Sequence, residues 1–321
     1  MELVPSADTD LPAPLTHAFR ATTLGKTTPR RWLSAAEYAA YLRAGGAAGA
    51  DIAAAPDPEL YDAERAIGIG IDPETLATES GKFYSAEYLR LRPGVALALA
   101  ASCDLQPKGA AGTTVDVFQK LPLPHDLIIG GQQGVATLAA AAGADDLLPA
   151  PPAIPAGATR LRWTLLTPAI FPALDNHLGG WLPTWIDAAT GSVLLKTGDT
   201  ARRVLAGGRP EPRDAWRARV QQLPAINARL IAARVGKPEA VTGWDLLEKS
   251  PKPTLLAVPA GSAYVFDCAT GADALALAAA LNPPNRRSTL LGEKGYGLGL
   301  CAPWQDAGTA QSSPSGGVHA A

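Results

Sequence analysis

The strongest constraint on the fold is the order of strand-like and helix-like segments in the second half of the chain. The sequence predicts strands over residues 161–169, 255–268 and 296–302. Residues 229–235 could continue a helix, but Pro224 before them and Gly236–Lys237–Pro238 after them favour a strand. Helical spacing predicts helices over residues 212–223 and 270–284, where Pro212 suits a first turn and Thr270 suits an N-cap. The order β-α-β-β-α-β is typical of a ferredoxin-like unit, in which both helices cover one face of an antiparallel sheet.

A Pro-rich segment, LLPAPPAIPAGATR (147–160), precedes this unit. Such a composition favours a stiff linker, so we place a domain boundary here. The sequence thus predicts an α+β protein with one domain in residues 1–146 and a complete ferredoxin-like domain in residues 161–304. The low-complexity tail, residues 305–321, is expected to be disordered.

Two elements are predicted before the linker. Residues 29–46 favour a short helix, because Ser34 and Glu37 have the spacing of a capping box. Residues 65–91 favour a hairpin, because isoleucines alternate with glycines in its first strand and the second strand is rich in aromatic residues.

Charge and composition exclude several classes of protein. The 321-residue chain has a net charge of −2, which argues against a freely acting, highly basic nucleic-acid binder. Residues 200–252 nevertheless hold eleven Lys/Arg and five Asp/Glu, so this sector either contacts a polyanion or is a solvated surface. No apolar run approaches the roughly 20 residues of a membrane helix. With no secretory signal and three widely spaced cysteines, the expected location is the cytoplasm.

No catalytic or metal-binding motif is evident. The segment LGKTTPR has Arg20 where a phosphate loop needs its first glycine, and the 291–304 segment lacks the third glycine of a dinucleotide site. No His-x-x-x-His or Cys-x-x-Cys spacing occurs, so we expect no metal, no cofactor and no catalytic residue. KGYG (294–297) matches the start of an RNA-recognition strand, although Leu298 and Cys301 replace its later aromatic residues.

Four segments in order carry a family resemblance. They are ERAIGIGIDPETLATESGKFYSAEYLRL, IIGGQQGVATL, LLTPAIF, and a run from TGWDLLEKSPKPTLLAVPAGSAYVF through GEKGYGLGLCAPW. Together they resemble subunit three of the Cmr module, the type III-B CRISPR effector complex, in the repeat-associated mysterious protein (RAMP) superfamily. The family's opening Phe-Arg-Asp-Gly-Arg-Pro-Phe-like segment is missing, so the N-terminal domain is expected to be truncated. Gln132 also replaces the family's usual glutamate.

The resemblance implies a non-catalytic subunit. Such a subunit grips the repeat-derived 5′ handle of the guide RNA. It also docks against the large polymerase/cyclase-like subunit and the backbone RAMP subunits, so the guide RNA and these subunits are the expected partners.

The candidate RNA-binding residues form two sets. The first surrounds the glycine-rich end of the chain: Gly292, Lys294, Gly295, Tyr296 and Gly297, with Lys249, Lys252, Arg286 and Arg287. The second lies on the 65–91 hairpin and its exit: Lys82, Tyr84, Arg90 and Arg92, for which a solvated strand face is an equal alternative. Alternation would give Gly295, Gly297 and Gly299 one bare face that RNA can approach, and would pack Leu300 on helix 271–281. Trp244 is expected to be buried.

Two other functions stay open. A RAMP-type endoribonuclease that matures repeat RNA needs a general base, and His17 is the histidine in the expected region. A scaffold that touches only protein needs none of these cations.

Overall fold

The computed structural model describes residues 2–5, 10–20, 32–43, 58–99, 102–105, 113–116, 118, 121–129, 134–140, 149–172, 180–198, 204–205 and 209–304. Up to residue 140 the elements are β1 Glu2–Pro5, β2 His17–Arg20, α1 Ala35–Arg43, β3 Tyr61–Ile71, β4 Thr78–Leu91, β5 Ser102–Leu105, β6 Thr113–Asp116, β7 His125–Ile128 and β8 Val135–Leu138. Then follow β9 Arg160–Leu165, β10 Val204–Leu205, β11 Arg209–Pro210, α2 Arg213–Gln222, β12 Ala228–Arg234, β13 Glu239–Val241, β14 Trp244–Asp245, β15 Ser250–Pro251, β16 Leu255–Ala257, β17 Ala263–Cys268, α3 Gly271–Leu281 and β18 Gly299–Pro303.

A four-stranded antiparallel sheet organises the second half of the chain. Its order is β12-β17-β9-β18, so β17 and β9 lie in the centre and β12 and β18 lie at the edges. Trp163 on β9 lies opposite Tyr264 on β17 and opposite Cys301 on β18. The protein is therefore α+β, and the predicted strands 161–169, 229–235 and 296–302 all join this sheet. The predicted 255–268 segment divides into β16, which pairs with β13, and β17.

The main core lies on one face of this sheet, under α3. Leu277 and Leu281 of α3 are buried together with Trp163, Tyr264 and Phe266 of the sheet. Burial of these large apolar side chains is the main favourable contribution to the stability of this half.

The prediction that two helices cover this face is wrong for α2. The helix forms where expected, but it buries no side chain, because its sequence RDAWRARVQQ offers too few apolar residues for a core-facing stripe. The segment between β9 and α2 covers the sheet instead, through the buried residues Phe171, Ile186 and Val193.

Local capping fixes the start of α3, as its sequence predicts. The Thr270 hydroxyl accepts a hydrogen bond from the Asp273 amide (3.1 Å) and donates one to the Asp273 carboxylate (2.6 Å). The same carboxylate accepts from the Asn227 amide (2.9 Å), which ties the helix to the residue before β12.

N-terminal elements cover the opposite face of the sheet. Leu3 and Phe19 of the β1–β2 hairpin pack against Ile231, Val265 and Trp304. Residues near the beginning of the chain therefore share a core with the C-terminal unit, although they lie before the predicted linker.

Helix α1 covers the same face beside that hairpin. Its predicted capping box is present, because Ser34 and Glu37 exchange hydrogen bonds between side chain and amide (2.7 and 3.2 Å). Leu42 is buried with Leu300 of β18. The prediction that Leu300 packs on helix 271–281 is therefore wrong, and Cys301 instead faces the core under α3.

A buried arginine lies beneath α1. Arg162 of β9 is 3% exposed, and its guanidinium lies 4.2 Å from the centre of the Tyr41 ring. It also donates a hydrogen bond to the Tyr41 carbonyl oxygen (2.9 Å), and burial lowers its pKa. This contact fastens the helix to the sheet through a cation–π interaction and a hydrogen bond.

The described residues between 58 and 140 form separate two-stranded hairpins, β3–β4, β5–β6 and β7–β8. The β3–β4 hairpin runs from the pair Tyr61–Leu91 to the pair Ile71–Thr78, which confirms and lengthens the predicted hairpin. Asp72 fixes its turn by accepting hydrogen bonds from the amides of Glu74 (2.8 Å) and Thr75 (2.9 Å). Neither strand of this hairpin contains a buried residue.

Within the described residues, no helix has both the length and the apolar character that crossing a membrane requires.

Candidate nucleic-acid interface

The candidate residues Gly292–Gly295 form a turn, built as a short 3-10 helix, Gly292–Lys294, between two residues with left-handed backbone. Leu291 has φ 58° and Gly295 has φ 90°. The amides of Lys294 and Gly295 donate to the carbonyl oxygens of Leu291 (2.9 Å) and Gly292 (3.0 Å). Because the chain makes this extra turn, β18 begins at Gly299, three residues later than predicted.

The glycines after the turn do not form a bare face. A methyl group at Gly297 would clash with the backbone and side chain of Ser288, and one at Gly299 would clash with the Trp163 indole. Both glycines are buried. The prediction of an open glycine face is therefore wrong: these two positions are glycine because the protein's own atoms lie against them.

Most amides of this segment are also used inside the protein. The Gly297 amide donates to the Pro168 carbonyl oxygen (2.8 Å), and the Leu298 amide donates to the Thr167 hydroxyl (2.9 Å). Thr167 in turn donates to the Gly295 carbonyl oxygen (2.8 Å). Within the described residues, the amides at the start of the 3-10 helix, Gly292 and Glu293, make no such bond, so they are the donors left for a ligand.

Two exposed cations flank these amides. A methyl group at Gly292 would lie 3.8 Å from the Arg286 side chain, which places Arg286 beside the turn, and Lys294 is part of the turn. Both side chains are exposed, and the ion pairs among described residues involve other cations. Glu293 is exposed between them, so the turn with Arg286 has a net charge of +1. Tyr296 is half-buried at its end.

Arg287 has a structural position rather than an open one. Its Nε donates to the Ala280 carbonyl oxygen at the end of α3 (2.7 Å), and its amide donates to the Gly297 carbonyl oxygen (2.8 Å). Burial lowers its pKa. Arg287 therefore holds the turn against the C-terminal end of α3, where a cation is favoured by the helix dipole.

Lys249 and Lys252 lie on a different element, the β14–β15 hairpin. Lys249 is in its turn with φ 49°, and the Lys252 amide donates to the Gly243 carbonyl oxygen (2.8 Å). Both side chains are exposed, and no hydrogen bond or ion pair among the described residues joins this hairpin to the Gly292–Gly295 turn. The prediction that Trp244 is buried is wrong, since it is 55% exposed beside the exposed Leu246 and Leu247.

The second candidate set lies on the β3–β4 hairpin, where its cations pair with neighbouring carboxylates. Lys82 pairs with Glu79 (2.5 Å) and Arg90 with Glu64 (2.7 Å), while Arg92 pairs with both Asp62 (2.9 Å) and Glu59. The Tyr84 ring lies over Gly68. Sequence reasoning missed the Arg90 and Arg92 pairs because those partners meet only once the strand register is known, whereas Glu79 and Lys82 lie three residues apart on one strand.

No described residues form a metal-binding cluster of three His, Cys, Asp or Glu side chains. His17 lies on β2, half-buried, with its Nδ1 2.9 Å from the Thr16 hydroxyl. The buried Cys268 thiol has its pKa raised to about 12 by burial, which keeps it protonated at neutral pH. The predictions for Gln132 and for the 305–321 tail fall outside the described residues.

Comparison with known proteins identifies the protein family of this chain. Residues 7–304 match a family of CRISPR-associated proteins. The chain belongs to the family described as CRISPR-associated protein (Cas_Cmr3), which confirms the resemblance seen in its sequence. No curated protein matches the chain.

One similar solved structure is titled "Cryo-EM structure of the Type III-B Cmr-beta bound to cognate target RNA". The match has 15% sequence identity and a TM-score of 0.29, and it covers 64% of this chain and 45% of the other chain. The chain thus spans less than half the length of that matched chain.

Proposed function

We propose that the chain is a non-catalytic subunit of a type III-B CRISPR effector complex and that it binds the repeat-derived 5′ handle of the guide RNA. The observation that carries this proposal is the family match, which extends over nearly the whole chain, residues 7–304. Membership of this family makes an RNA-guided effector complex the natural setting for the chain.

The Gly292–Gly295 turn supports RNA contact through a small group of donors. Arg286 and Lys294 supply exposed positive charge, and the Gly292 and Glu293 amides lie in the first turn of the 3-10 helix. Single-stranded RNA is bound by cations and amides at its phosphates and by aromatic rings at its bases. Tyr296, half-buried beside the turn, is the candidate ring.

Lys249 and Lys252 extend this interface as a second, separate pair of exposed cations. Lys82, Tyr84 and Arg90 form a weaker candidate set. Their charges are already compensated by Glu79 and Glu64, so a phosphate would have to displace a carboxylate from each cation.

The wider assignment follows from the family. We propose that the chain docks the large polymerase/cyclase-like subunit and the backbone RAMP subunits, and that it acts in the cytoplasm. The β12-β17-β9-β18 order supports a ferredoxin-like C-terminal domain in which α2 has moved off the sheet. The division into a domain 1–146 and a domain 161–304 is part of this proposal, with β1, β2 and α1 of the first domain packed on the sheet of the second.

Co-purification tests the RNA assignment. The chain is expressed with the subunits encoded by its neighbouring genes, and the bound RNA is sequenced. We expect short RNAs that share one repeat-derived 5′ end, and the absence of such RNAs would overturn the proposal.

A matched pair of double variants tests the site. Arg286→Glu with Lys294→Glu should weaken binding of a handle-sequence RNA at least tenfold and reduce the magnitude of the salt-dependence slope by about 1.4, or 0.7 per lost phosphate contact. The control, Lys82→Glu with Arg90→Glu, makes the same charge change at paired cations and should weaken binding less. Equal effects would exclude the turn as the main contact.

The endoribonuclease alternative is tested on the isolated chain. Site-specific cleavage of repeat RNA that is lost in His17→Ala would replace the non-catalytic proposal with an enzyme. We expect intact RNA with both proteins.

A further inference from the structure

The β3–β4 hairpin has one apolar face that is open to solvent. Its register places Ile67, Ile69, Phe83 and Leu89 on the same side, because Ile67 lies opposite Ser85 and Ile69 lies opposite Phe83. These four side chains are 66%, 50%, 67% and 58% exposed, and no described residue buries them. We call this side the apolar face of the hairpin.

The other side of the same hairpin is polar and better covered. On this side Glu64 pairs with Arg90 across the two strands. The Lys82 side chain lies against Gly70, and the Tyr84 ring lies against Gly68. Antiparallel sheets with one packed face and one solvated face show this alternation. Here one Arg65–Glu87 pair interrupts the apolar face, which has no partner within the described chain, as is typical of an interaction surface.

The charge of the hairpin indicates what this surface binds. Residues 61–91 contain six acidic and three basic residues, a net charge of −3. The cross-strand charges on the apolar face are Arg65 and Glu87, which lie opposite each other and cancel. A polyanion would meet net repulsion and no uncompensated cation there, whereas an apolar protein surface with basic residues at its rim would be complementary.

We propose that the apolar face of the β3–β4 hairpin docks a partner protein of the effector complex, whose matching surface is apolar with a basic rim. This inference rests on the proposed membership of that complex, and it gives the hairpin a role different from RNA binding. An 11-residue strand is about 36 Å long, so the hairpin presents enough length for a specific contact.

The test replaces the apolar face without removing its strand propensity. The variant carries Ile67→Thr, Phe83→Thr and Leu89→Thr, since threonine keeps the β-branched preference of a strand. The control carries Ala66→Thr, Tyr88→Thr and Ala86→Thr on the opposite side of the same hairpin. Circular dichroism and the melting temperature confirm that both proteins fold.

Each protein is expressed with the neighbouring subunits, and native mass spectrometry measures protein and RNA composition separately. We expect the apolar-face variant to lose one protein subunit at least tenfold, while the isolated chain keeps its affinity for handle RNA and the control complex stays complete. A complete complex with the variant would overturn the proposal.

Two further outcomes would also overturn it. Loss of RNA affinity in the isolated variant would make RNA the occupant, and a wild-type dimer that becomes monomeric in the variant would make a second copy the occupant. If no guide RNA is found in any complex, the proposed RNA function fails. Loss of a protein subunit from the apolar-face variant would still support docking at this face.

Discussion

The four-stranded sheet and the β3–β4 hairpin are both antiparallel, yet they differ in what covers them. The sheet has α3 on one face and β1, β2 and α1 on the other, so Trp163, Tyr264 and Phe266 are fully buried. The hairpin is equally rich in large apolar side chains on one face, but its Ile67 and Phe83 are mostly exposed. The difference shows that the same alternation can build a buried core in one place and leave an open apolar face in another, which we propose as a docking surface.

Truncating a phenylalanine in each region should give the largest difference. Phe266 is fully buried with its ring 6.0 Å from that of Trp185, so Phe266→Ala should lower the free energy of unfolding by about 3–5 kcal/mol. Phe83→Ala, at an exposed position, should change it by less than about 0.5 kcal/mol. Urea unfolding followed by tryptophan fluorescence measures both, and equal losses would mean that the hairpin belongs to the cooperative core.

A methyl group added to one glycine in each region should give a smaller difference. At Gly299 it meets the buried Trp163 indole and lies 2.9 Å from the Thr164 carbonyl oxygen, so Gly299→Ala should cost about 1–3 kcal/mol. At Gly68 it meets the far end of the exposed Tyr84 side chain rather than backbone or a buried ring, so Gly68→Ala should cost less than Gly299→Ala. A large loss of thermal stability for Gly68→Ala would show that Tyr84 is held in place.

The smallest difference between the sheet and the hairpin should appear in how their stability depends on acidic pH. Hydrogen bonds from Thr270 and from the Asn227 amide lower the pKa of Asp273, and those from the Thr75 and Glu74 amides lower the pKa of Asp72. A lowered folded-state pKa contributes stability that is present above the unfolded value, near 3.8, and is lost as the pH falls through the folded value.

Asp273→Asn should therefore flatten the decline in global stability below about pH 4, because Asp273 anchors α3 to the core. Asp72→Asn should leave global unfolding unchanged and speed hydrogen exchange only at the hairpin turn. Differential scanning calorimetry and exchange mass spectrometry separate the two effects. An unchanged pH profile in Asp273→Asn would show that other carboxylates control the acid transition.

Local features of this fold could be predicted from sequence, because the residues that form them lie close together along the chain. The Ser34–Glu37 and Thr270–Asp273 caps each span three residues. The antiparallel sheet itself was also predicted from the order of elements along the chain, although its strand order was not.

Features that depend on distant residues could not be predicted. Alternating glycines near residue 297 looked the same as those near residue 69, but Ser288 and Trp163 fill the first set while exposed side chains cover the second. The Arg90–Glu64 pair needs the cross-strand register before it can be recognised. Arg286 lies beside Gly292, as their proximity in sequence indicated, while its role at the candidate site stays a prediction.

The packing of Phe19 against Trp304, with ring centres 5.8 Å apart, has a consequence for how the chain folds during synthesis. The central strand β9 cannot be flanked on both sides until β18 leaves the ribosome, and the outer face of the sheet then packs on Leu3 and Phe19, which precede β18 by more than 200 residues. Contacts of such long sequence separation slow folding. The β3–β4 hairpin, made entirely of local contacts, should therefore form well before the sheet that stabilises the rest of the molecule.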